Sequence, residues 1–172
     1  MGVPYPYGTC DVVFGPVSPG LAYSVTGLVL VQDRVLTAGA DEVSPLYRAV
    51  VIAHEVAHAW FGGLVTFSGA DRWLDEAVTT YVSRAAISAI IPGAAPWAGP
   101  PVTDLPDEPY APGAAAIRTL EDVIGPGAVL AGLGAMLRQH AHGDASRADL
   151  VRCWSAAGGR DLRDWAAQTL IS

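Results

Sequence analysis

The first forty-five residues alternate short apolar, β-branched runs with glycine and proline. Cys10-Asp11-Val12-Val13-Phe14 and Thr26-Gly27-Leu28-Val29-Leu30-Val31 are the clearest runs, and they read as strands joined by turns. From Ser44 the apolar positions recur at helical spacing. Ser44 suits a cap, Pro45 suits the first helical position, and Gly62-Gly63 is the expected stop. A second helix is expected from about Asp71 to Ile90, ended by Pro92-Gly93. Seven prolines between residues 92 and 112 predict a rigid, irregular loop. Pro112 then opens a helix through Ile124, Gly125-Pro126 ends it, and another covers about Ala128 to Ala141. Ser146 with Asp149 makes a capping-box start for a helix that stops at Gly158-Gly159, and Asp161 is expected to cap the last one. Strands at about 5–40 followed by helices at about 45–172 predict an α+β domain, a short N-terminal sheet leading into a helical bundle.

Length and charge narrow the function classes. A chain of 172 residues fits one domain, residues 1–172, and its 51% apolar and 16% charged composition is that of a packed core. Ten arginines, no lysine and seventeen acidic residues give a net charge of -7 with no basic cluster, which excludes nucleic acid as a partner. Cys10 and Cys153 fit neither a metal-ligand nor a redox spacing and are expected as small buried residues. The N-terminus has no basic stretch leading into an apolar one. The apolar runs near 85–98 and 125–137 are broken by proline or glycine before they reach spanning length. The expectation is a soluble, cytoplasmic chain with no membrane segment.

The chemistry is concentrated in His54-Glu55-Val56-Ala57-His58, inside the first long helix. Histidines four apart project from one helix face, so both imidazoles can reach a zinc ion at about 2.0 Å, with Glu55 placed to hold a water beside it. The alternative is a pair of core histidines with a chance glutamate between them. A catalytic zinc needs a third ligand from another element. Glu76, in Trp73-Leu74-Asp75-Glu76-Ala77 on the second helix, is the candidate, and seventeen residues separate it from His58. A solvated helix carboxylate is the alternative there. Asp75, Thr79 and Thr80 lie close enough in sequence to support the ligands by hydrogen bonds, although ordinary helix packing explains the threonines equally well.

The segment from His54 to Gly62, with Leu64-Val65-Thr66 and Trp73-Leu74-Asp75-Glu76, resembles the gluzincin signature of the aminopeptidase N family, which includes leukotriene A hydrolase. Tyr110-Ala111-Pro112-Gly113 resembles that family's Y-x-K-G segment, with Pro112 in place of lysine. His140-Ala141-His142-Gly143 through Asp149-Leu150 resembles its downstream helix pair, and Tyr5-Pro6-Tyr7 through Gly27-Leu28 resembles the entry to its catalytic domain. The resemblance implies a thermolysin-like fold and one zinc ion bound by His54, His58 and Glu76. It also implies Glu55 as general base and Tyr110 as the hydroxyl that stabilises the oxyanion. It further aligns Leu21-Ala22-Tyr23-Ser24-Val25 with the family's G-x-M-E-N segment, which makes Tyr23 and Ser24 substrate-binding candidates. Ser24 then stands where the family's glutamate holds a free α-amine.

The implied activity is zinc-dependent hydrolysis of peptide or amide bonds, with the free-amine preference in question. Two alternatives stay open: a small-molecule hydrolase acting on an epoxide or amide, and a zinc-binding domain without turnover. Substrates are accordingly a peptide or a small molecule, and oligomeric state is not legible.

Overall fold

The computed structural model describes residues 1–16, 20–39, 44–98 and 111–170. In the strand-rich start, β1 (Asp11–Gly15) runs parallel to β3 (Leu28–Gln32), and β2 (Ala22–Val25) pairs antiparallel with β3. The turn between β2 and β3 uses Gly27 at a φ of 74°, where a side chain would be strained. A short helix, α1 (Asp33–Thr37), comes next, inside the region read as strand and turn. Alternation along β3 puts Val29 and Val31 on the buried face, where they meet Val35 of α1. That face packs on Ile52 and Val56 of the next helix, α2 (Pro45–Ala57).

α2 begins as the sequence predicts, with the Ser44 hydroxyl accepting the Tyr47 N–H at 3.1 Å and Pro45 at the first position. It stops at His58, short of the Gly62-Gly63 pair. Beyond it the Ala59 and Trp60 N–H groups donate three residues back, to Val56 and Ala57, and Gly62 at a φ of 94° swings the chain outward. The chain then enters β4 (Val65–Phe67), which pairs in parallel with β5 (Gly143–Ala145). The strands-then-helices order is corrected here: β4 precedes α3 (Trp73–Ile90), and β5 lies between α5 (Pro126–Gln139) and α6 (Arg147–Gly158). β4 buries Val65 and Phe67 on one face, and the three-residue pairing is set by the helices that bring the two backbones together. The His142 N–H, donating to the Leu64 carbonyl at 2.7 Å, extends the junction.

α4 (Ala111–Ile124) and α5 bend by 117° about Gly125-Pro126, and among the described residues no single helix is long and apolar enough to cross a membrane. Phe61, Phe67, Leu74, Tyr81, Ile117, Leu133 and Trp154 are fully buried and form the main core between α3, α4, α5 and α6. Close approach is built in: a Cβ on Gly132 of α5 would lie 3.0 Å from the Trp154 Cα of α6. Cys153 is buried, Cys10 is partly exposed, and both thiols are free.

The capping box at α6 is present. The Ser146 hydroxyl and N–H donate to Asp149 Oδ2 at 2.6 and 3.0 Å, and Ser146 Oγ accepts the Asp149 N–H at 3.2 Å. These bonds, with Arg152 at 2.7 Å, hold the Asp149 carboxyl well below the usual range. A depressed native pKa contributes stability above the unfolded value of about 3.9 and loses it as the pH falls toward the native value. Asp149→Asn is therefore expected to cost about 1 kcal/mol in urea unfolding at neutral pH, with the gap to the parent closing below about pH 4. For α7 (Arg163–Thr169) the capping residue is Leu162. Asp161, one residue earlier, accepts the Arg163 N–H at 3.0 Å and pairs with its guanidinium.

Candidate metal centre

His54 lies in the last turn of α2, His58 caps that helix, and Glu76 stands in the first turn of α3. The helices bring three side chains to one point. His54 Nε2 is 3.1 Å from His58 Nε2, and Glu76 Oε2 is 3.3 Å from the first and 3.4 Å from the second. A tetrahedral zinc with bonds of about 2.0–2.1 Å separates its ligand atoms by about 3.3 Å, so this triangle has the size of one face of such a site. The residues present fit the ion. Among the described residues no other trio of His, Cys, Asp or Glu side chains converges in this way.

Each imidazole is oriented from behind. His58 Nδ1 lies 3.0 Å from the Phe61 carbonyl, an arrangement in which Nδ1–H donates and the Nε2 lone pair faces the triangle. Thr79 Oγ1 lies 3.4 Å from the same nitrogen, and Thr80 Oγ1 lies 3.4 Å from His54 Nδ1. Both threonines are buried, so their hydroxyls face the histidines in place of water. Asp75 faces elsewhere: its Oδ1 accepts the Phe67 N–H at 3.0 Å, which ties the end of β4 to the start of α3. Burial pushes the Asp75 carboxyl up to about 6, against the lowering effect of the Phe67 N–H.

The ligand candidates shift in the opposite senses. Burial disfavours the Glu76 carboxylate, but hydrogen bonds from His54 and His58 outweigh it and bring the group down to about 2. Burial likewise disfavours a charged His58, and the adjoining Glu76 outweighs it and raises that ring. The three groups thus form one mutually stabilised polar cluster at the mouth of an apolar interior.

A cleft of about 690 Å³ opens over the cluster. Glu55, Tyr23 and Ser24 line it, Ser24 and Tyr23 from the edge strand β2 opposite α2. The N-terminal segment also enters the cleft, contributing Tyr5, Tyr7 and Cys10. Sequence reasoning does not single out those three as site residues, although the Tyr5-Pro6-Tyr7 pair just ahead of the first strand is the available signal. Tyr110, with Asp104, Asp107 and Glu108, lies outside the described residues. The helix that begins after Tyr110 is nevertheless tightly placed: a Cβ on Gly113 would lie 2.7 Å from the Ala77 Cβ and 3.0 Å from the Trp73 ring. α4 therefore starts against the turn of α3 that carries Glu76.

The chain is similar in sequence to several known aminopeptidases. Aminopeptidase N of Streptomyces lividans is 29% identical over 94% of this chain, which corresponds to 23% of that protein. Aminopeptidase 2 of Candida albicans is 28% identical over 94% of the chain and 21% of its own length. Leucyl aminopeptidase of Saccharolobus solfataricus is 39% identical over 43% of the chain and 10% of its own length. The chain thus spans about a quarter or less of these relatives. The family model described as the Peptidase family M1 domain matches residues 1–105, which include both histidines and Glu76. With most of its length under that match, the chain belongs to peptidase family M1.

Proposed function

We propose that residues 1–172 form a single thermolysin-like catalytic domain that holds one zinc ion and hydrolyses peptide bonds. The observation that carries this reading is the triangle of His54, His58 and Glu76 with edges of 3.1–3.4 Å, set under a cleft that Glu55 also lines. His54, His58 and Glu76 would be the protein ligands, three in number, which leaves a position open to substrate or water. When bound, the zinc supplies Lewis-acid chemistry, acidifying water and polarising the scissile carbonyl.

The chain's own groups do the rest. Glu55 takes a proton from the attacking water and returns it to the leaving amine as the C–N bond breaks. The Tyr110 hydroxyl donates a hydrogen bond to the oxygen on which negative charge develops. Thr79 and Thr80 keep the two imidazoles in register behind the ligands. Supporting this assignment, Glu55 stays outside the triangle and faces the cleft, a placement that a purely structural four-ligand site has no use for.

The relatives' names include aminopeptidases, whose work requires recognition of a free N-terminus. In this cleft the only carboxylates among the described lining residues are Glu55 and Glu76, and Ser24 of β2 lines the same cleft. With Glu76 engaged by the histidines and Glu55 serving as base, an ammonium finds among the described lining residues no further carboxylate to supply a charge-assisted bond of about 1.5–3 kcal/mol, and it loses hydration. We infer peptide hydrolysis with little dependence on a free α-amine. The test is a matched pair of fluorogenic peptides, N-acetylated and free. Both are expected to be cleaved at similar rates, with activity removed by a chelator and restored by zinc. A preference of a hundredfold or more for the free peptide would overturn the specificity, and hydrolysis indifferent to chelation would overturn the reaction.

A further inference from the structure

Beyond the metal centre, the cleft has a consistent character. None of its described lining residues is charged apart from His54, Glu55, His58 and Glu76, counting both histidines as titratable. One end is walled by aromatic rings from the N-terminal segment. Tyr5 and Tyr7 meet edge to face with centroids 5.7 Å apart, and Tyr5 is backed by Trp60 at 5.5 Å and an interplanar angle of 81°. The Trp60 indole donates to the Pro4 carbonyl at 3.0 Å, so this wall is anchored to the turn that leaves α2. The second anchor is a glycine. A Cβ on Gly63 would lie 2.8 Å from the Tyr7 hydroxyl, and only a residue without a side chain lets that phenol sit against the turn next to His58.

Resting on the proposed peptide hydrolysis, we propose that Tyr5 and Tyr7 form a specificity wall that selects an uncharged aromatic side chain beside the scissile bond. Both rings are half-buried yet border the cleft, so each keeps a face or edge for a ligand while its other contacts hold it still. A rigid aromatic surface loses little freedom on binding. An added edge-to-face or offset ring contact strengthens binding by a few-fold to about tenfold beyond area burial. Aliphatic neighbours such as Ala22 and Val25 add apolar surface, and away from the metal centre the described lining residues offer a charged side chain no ionic partner.

The experiment measures binding without turnover. Zinc-loaded Glu55→Gln protein is titrated by calorimetry with two N-acetylated tripeptide amides, Ala-Phe-Ala and Ala-Ala-Ala. The phenylalanine peptide is expected to bind at least about tenfold more tightly. Tyr7→Ala in the same background is expected to reduce that ratio below about threefold, and Tyr7→Phe, which keeps the ring, to retain it. Equal affinity of the two peptides for the Glu55→Gln protein overturns the proposal whether or not the Tyr7→Ala variant folds. So does a tenfold ratio that survives in folded Tyr7→Ala protein. Turnover is not read here, so a parent enzyme that fails to hydrolyse peptides overturns the hydrolase reading by itself, whereas equal affinities overturn the aromatic wall.

Discussion

Glu55→Gln is expected to lower turnover of an acetylated peptide by about 10²–10⁴-fold while the protein keeps its zinc. The substitution preserves shape and hydrogen-bonding reach and removes only the capacity to accept and carry a proton. The triangle proposed to hold the ion is built by His54, His58 and Glu76, and the substitution leaves all three in place. Elemental analysis and steady-state kinetics on the same preparation separate the two properties. A variant as active as the parent would remove Glu55 from the reaction, and one that had lost its zinc would make it a structural residue.

Tyr110→Phe is expected to lower kcat by about 10²–10³-fold with KM nearly unchanged. The reason is differential: a phenol aimed at the oxygen of the tetrahedral species bonds it more strongly than the ground-state carbonyl. Gly113, three residues after Tyr110, sits tightly against Ala77 and Trp73 and places the first turn of α4 beside the turn that carries Glu76, which supports this role. If Tyr110→Phe raised KM and left kcat alone, the hydroxyl would be a binding group, and full activity would remove it from the site.

The cluster of His54, His58 and Glu76 was legible in sequence because its geometry is local. A four-residue step on one helix places two imidazoles together whatever surrounds them, and only Glu76 needed a tertiary contact. Caps were legible for the same reason, as the Ser44 and Ser146 hydrogen bonds illustrate. β4 and β5 were not. Each is three residues long, and each exists because the chain after α2 and the chain before α6 are carried side by side by packing elsewhere. The early end of α2 has a similar origin, since Gly62 turns the backbone four residues after the ladder has already tightened at His58. Asp75 shows the limit for side chains. Its position beside Glu76 suggested support of a ligand, yet the buried Phe67 N–H takes its carboxylate. The aromatic wall was hidden most completely, because Tyr5 and Tyr7 reach the cleft from more than forty residues before His54.

Zinc content is the most direct test of the metal centre. Protein purified without added chelator is expected to contain one zinc per chain by elemental analysis. Replacing His54 and His58 together with Ala is expected to abolish it, and Glu76→Gln to weaken retention during dialysis by removing the one anionic ligand. Absence of zinc from the parent even after incubation with the ion, or full occupancy in the double-alanine variant, would contradict the assignment.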